Sequence, residues 1–160
     1  MLYKLNLENI LFLDIETVPE SEDYNNMGEV KRQLWEQKSQ YKRGDEFSAE
    51  EFYERAGIWA EFGKVVCISV GFFNVKSNVR NLRIKSFHGE EKSILKAFKS
   101  LLNDHFSGPK NLLCAHNGKE FDFPYLARRM LIHGIKLPYK LDLFGKKPWE
   151  VPHLDTMELW

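Results

Sequence analysis

Asp14 and Glu16 close the apolar run Ile10-Leu11-Phe12-Leu13, and an acid pair in that position calls for a chemical explanation. In an extended strand residues i and i+2 leave the same face, which sets the two carboxylates roughly 7 Å apart along the chain. Acids held side by side repel unless a cation neutralises them, and all-oxygen pockets suit Mg²⁺ or Mn²⁺. The plain alternative is a strand end entering solvent.

A second constellation is His116-Asn117-Gly118-Lys119-Glu120-Phe121-Asp122. It precedes a helical pattern, and Asp122 falls at or just before the helix N-terminus. Asp is a favoured cap there, and Asn117 and Gly118 are ordinary turn residues. The functional reading rests on the combination. Open α/β sheets build sites at the carboxyl ends of strands, where both this loop and the Asp14/Glu16 pair belong.

The elements that must position these residues can be read from periodicity. A first strand runs over about residues 10–18 and is stopped by Pro19. The charged stretch at about 20–62 reads as a mostly helical insertion. Its most regular piece starts at a Ser48 cap followed by Glu50 and Glu51, with Phe52, Ile58 and Trp59 on an apolar side. Lys64 to Asn74 is a second strand, partly buried on both faces. Asn78 turns the chain into a third strand over Val79 to Phe87, which makes a hairpin. Ile94, Leu95, Phe98, Leu101, Leu102 and Phe106 mark a helix at about 90–106 that Gly108-Pro109 stops. A short strand over Asn111 to Ala115, a helix at about 122–133, a loop from Leu137 to Trp149 and a last apolar strand-like segment from Leu154 to Trp160 follow. This order predicts an α/β fold with a mixed five-stranded sheet flanked by helices.

Composition agrees with one globular domain: 160 residues, 43% hydrophobic and 14% aromatic. Formal net charge is zero, but the charge is unevenly placed. Lys110 to Lys147 holds eight Lys/Arg against three acids, whereas Glu20 to Lys64 holds eleven acids against seven bases. A polyanion is therefore met better by the C-terminal half. Cys67 and Cys114 lie in apolar runs outside any metal-ligand spacing, which argues against zinc and against a disulfide framework. No apolar run reaches membrane-span length and no signal-peptide pattern opens the chain, so a cytoplasmic location is expected.

Phe12-Leu13-Asp14-Ile15-Glu16-Thr17 resembles the first motif of the DEDD (DnaQ-like) 3′–5′ exonucleases, and Asn117 with Phe121-Asp122 resembles their second. The whole chain, including Phe62 to Gly71 and Leu154 to Leu159, is most similar to predicted exonucleases related to the proofreading domain of family B DNA polymerases. The resemblance implies a ribonuclease H-like domain over 1–160, with two Mg²⁺ or Mn²⁺ ions held by Asp14, Glu16 and Asp122. It implies hydrolysis at the 3′ ends of single-stranded nucleic acid, DNA in the first instance. Thr17, Asn117, Phe121 and Lys119 become substrate-side residues, and Lys119, Arg128 and Arg129 candidates for phosphate. The family's fourth carboxylate, in a Tyr-x3-Asp or His-x4-Asp motif, does not follow Asp155. A fragment truncated at the C-terminus, with weak or no activity of its own, is therefore expected. A non-catalytic nucleic-acid-binding module and a plain interaction domain are the competing readings.

Overall fold

The structure is a computed structural model, and it describes residues 5–159. Five strands form one sheet in the order β3-β2-β1-β4-β5. Strand β1 (Ile10–Pro19) lies at its centre, antiparallel to β2 (Gly63–Lys76) and parallel to β4 (Leu112–Ala115). Strand β3 (Val79–His88) is the antiparallel edge beyond β2, and β5 (Leu154–Asp155) runs parallel to β4. The β2–β3 hairpin turns through Ser77 and Asn78, both with positive φ, as a two-residue turn matched to strand twist requires. Among the described residues no helix is long and apolar enough to cross a membrane.

The expected mixed five-stranded sheet with flanking helices is therefore what forms. Helices α2 (Glu91–His105) and α3 (Asp122–Ile132) put Ile94, Leu95, Phe98, Phe123 and Leu126 into one core with Leu13, Ile15, Ile68, Val70 and Phe87 of the sheet. That covers one sheet face. Phe12, Asp14 and Glu16 share the opposite face with their register partners Gly71, Ser69 and Cys67. Strand β2 is thus not buried on both faces: Val65, Ile68 and Val70 are buried, while Val66, Cys67 and Ser69 are half-exposed. Leu82 and Ile84 of β3 remain 52% and 72% exposed, which marks how open that face is. The Glu16-to-Thr17 step carries a register shift, so Thr17 pairs with Val65 and Val66 is the extra residue on β2.

The stretch between β1 and β2 differs in detail from expectation. Its longest regular piece is α1 (Glu29–Arg43), upstream of Ser48. The Ser48 cap is real: its hydroxyl accepts from the Glu51 amide at 3.2 Å, and the Glu51 carboxylate accepts from the Ser48 amide at 2.8 Å. What it starts is a 3-10 helix, Glu51–Ile58, in which Phe52 is buried and Ile58 exposed. Met27, Trp35, Phe52, Tyr53, Ala56 and Phe62 form a second core around the fully buried Trp35. At the other end of the chain, the last apolar segment is a two-residue strand followed by the turn of helix α4 (Thr156–Leu159).

Candidate active site

The alternation of β1 buries Leu13 and Ile15 and leaves Asp14 and Glu16 exposed on the open face. Strand β4 accompanies β1 only along Ile10 to Phe12, so β1 runs on past it with a free edge. Helix α3 begins beside that edge. Its first residue, Asp122, is 3% exposed. Burial pushes the Asp122 carboxyl up to about 6, the charges of Asp14 and Asp155 push the same way, and the backbone amides of Asp122 itself and Ile15 hold it back. An acid of one element is thus within electrostatic reach of an acid on another, 108 residues apart in sequence (122 minus 14).

The loop from β4 to α3 is short and tied at both ends. Asn117 adopts φ +57, a conformation Asn tolerates better than most residues. The Asn117 carbonyl accepts from the Phe121 amide and the Gly118 carbonyl from the Phe123 amide, each at 2.9 Å, which joins the loop to the first turn of α3. A Cβ on Gly118 would stand 2.4 Å from the Ala115 Cβ and 3.0 Å from Phe123, so the loop approaches the sheet closely there.

The predicted site residues occupy three distinct settings. Asp14 and Glu16 lie on the open face and Asp122 at the edge beside them. Thr17 points to the helix side with its pairing partner Val65, next to the Tyr125 hydroxyl, which donates to the Gly57 carbonyl at 2.8 Å. Phe121 is half-buried against the main core, its ring 5.3 Å from that of Tyr125. The Lys119 ammonium donates to Glu158 of α4 at 2.7 Å. Of the phosphate candidates, Arg129 is 1% exposed and chelated by Glu91 through Nε at 2.8 Å and Nη2 at 2.6 Å, so it ties α3 to α2 and faces no solvent.

Sequence reasoning passed over Asp155 as a spare acid. It is 4% exposed, and its two oxygens accept from the amides of Asn117 at 2.8 Å, Met157 at 3.0 Å and Lys119 at 3.0 Å. A carboxylate directly after an apolar pair, at the end of a strand as brief as Leu154–Asp155, was the signal available.

Three carboxylates with oxygen-only donors suit Mg²⁺ or Mn²⁺ in chemistry. The raised Asp122 carboxyl beside the Asp14 charge is also what an acid pair shows in the absence of a neutralising cation. Among the described residues, however, no three His, Cys, Asp or Glu side chains are already gathered closely enough to cage an ion.

Residues 52–159 match the family model of the RNase_H superfamily, which is well over half of the chain. Among solved structures, the family B DNA polymerase from the hyperthermophilic archaeon Pyrobaculum calidifontis is similar at 18% identity and a TM-score of 0.41, over 80% of this chain and 11% of that one. The chain thus spans about a tenth of that polymerase's length. No curated protein matches it.

Proposed function

The chain belongs to the RNase_H superfamily, and from that membership and the acid arrangement we propose that it is a metal-dependent 3′–5′ exonuclease domain acting on single-stranded nucleic acid. The observation that carries the reading is Asp122: a buried carboxylate from a separate element, close enough to Asp14 for the Asp14 charge to raise it. Asp14, Glu16 and Asp122 are the residues that would hold divalent ions. Bound there, such ions supply an activated water and charge stabilisation at the departing 3′ oxygen. The chain's own part is to present two carboxylates on an open sheet face, where a strand end can approach, and a third from the edge. Asn117, at the rim, is placed to hydrogen-bond the terminal nucleotide. The RNase_H superfamily fold and the open face support a nucleic-acid substrate; the 3′ polarity rests on the resemblance of the two motifs.

A second reading, a nucleic-acid-binding module without turnover, is favoured by one observation: the acids are not pre-gathered into a three-ligand cage. A single experiment separates the two. A 5′-labelled oligonucleotide is incubated with Mn²⁺ and the protein in excess, so that slow cleavage registers. The exonuclease reading expects stepwise shortening that disappears in Asp14→Ala. Salt-sensitive binding indifferent to EDTA, with no shortening, would support the binding module instead.

A further inference from the structure

We propose that Asp155 is a positioning residue for this site: by holding the Asn117–Lys119 turn it sets the orientation of Asn117 toward substrate and fixes the start of α3. The inference rests on the exonuclease reading above and adds a role that the carboxylate motifs do not contain.

The argument begins with geometry. A turn with a non-glycine residue at positive φ keeps its shape only when its surroundings over-determine it. Here both oxygens of one buried carboxylate do so. Oδ1 accepts from Asn117 N and from Met157 N, while Oδ2 accepts from Lys119 N. Such charge-assisted bonds to backbone amides are stronger than neutral ones. The same short stretch adds two further ties. Thr156 Oγ1 and His116 Nδ1 lie 3.0 Å apart in a hydrogen bond, and Glu158 takes the Lys119 ammonium at 2.7 Å. Every residue from His116 to Lys119 except Gly118 is therefore tethered to the β5–α4 segment. The turn in turn hands its carbonyls at Asn117 and Gly118 to Phe121 and Phe123, which locks the approach to Asp122.

The chemistry of the carboxylate is specific. An amide in its place presents an NH₂ group to one of the three backbone N–H donors, which replaces a strong bond with a donor–donor clash. Asp155→Asn keeps shape and volume, so the fold is expected to survive while the turn loosens. Its readouts are local and functional together. Hydrogen exchange at the Asn117 and Lys119 amides should accelerate at least tenfold, and the single-turnover cleavage rate should fall at least tenfold at a temperature where the variant is fully folded. A merely structural role is separated by a double-mutant cycle with Asn117→Ala. If Asp155 acts through Asn117, the rate losses of the two single variants do not add in the double variant. Additive losses, or a cleavage rate equal to wild type, overturn the proposal.

Failure of the underlying reading looks different, because wild-type protein then does not cleave at all. In that case the same cycle is read in oligonucleotide affinity by fluorescence anisotropy in EDTA. Unchanged affinity in Asp155→Asn then overturns the positioning role.

Discussion

Asp122 is the residue on which burial and charge act most openly. Its carboxyl is raised from 3.8 to about 6, so the folded chain holds that proton more tightly than the unfolded chain does. Ionisation therefore costs stability as pH rises from about 4 to about 6, and the full cost stands above that window. Asp122→Asn removes the charge but keeps an acceptor for the Ile15 amide. In metal-free buffer it is expected to be more stable than wild type at pH 7.5, by on the order of 2 kcal/mol, with the gain gone at pH 4. Thermal denaturation at both pH values checks this; a lower midpoint at pH 7.5 would contradict it. At this scale the sequence was informative where period decides. Asp14 and Glu16 interrupt an apolar run with two-residue spacing, and the strand does present them on one face. Asp155 stayed hidden because its partners are backbone amides 36 and 38 residues upstream, and no pattern of residue types encodes such bonds.

Elements position the site through lengths and close approaches. The four residues of β4 stop short of the end of β1, and the freed edge is where α3 delivers Asp122. Gly118 lets the intervening loop lie against Ala115 and Phe123. Gly118→Ala is expected to cost about 1–3 kcal/mol by overpacking, and to slow any cleavage along with it. Urea titration gives the first quantity; a wild-type midpoint would show that the loop has room to spare. The helices α2 and α3 were legible from their apolar stripes and stop signals. Helix α1 was not, because it buries just Trp35 and Ser39 and so writes no stripe. Its anchor is one large side chain, with ring centroids of Trp59 at 4.8 Å and Phe62 at 5.1 Å and a bond from Nε1 to the Ala49 carbonyl at 2.7 Å. Trp35→Ala is expected to cost about 3–5 kcal/mol, with protease sensitivity rising first between residues 20 and 62. Uniform sensitivity along the chain would argue that the second core does not stabilise that segment separately.

Across the whole molecule, one sheet face is packed by helices and the other carries the acids. Polar groups stitch the packed side. Glu91 accepts from Arg129, from the Val65 amide and from His133, joining α2, α3 and β2. His153 joins the far side: Nδ1 accepts from the Leu113 amide at 3.2 Å and Nε2 donates to the Lys140 carbonyl at 2.7 Å. Burial lowers His153 from 6.5 to about 4, so it stays neutral in the fold while the unfolded chain takes up a proton below 6.5. Stability is accordingly lost as pH falls from 6.5 toward 4, against the trend set by Asp122. Unfolding curves for His153→Asn should show a shallower fall across that window than wild type; an identical slope would rule the histidine out as its source. Fold class was legible at this scale from element order. The openness of the acid-bearing face was not, since an apolar run looks the same whether one side or both are covered. The most direct test of the site is Mn²⁺ binding followed by electron paramagnetic resonance. Saturable binding is expected, weakened at least tenfold in both Asp14→Asn and Asp122→Asn and unchanged in Asp104→Asn on the exposed side of α2. Binding that ignores Asp122→Asn, or no saturable binding at all, would contradict a metal site shared between β1 and α3.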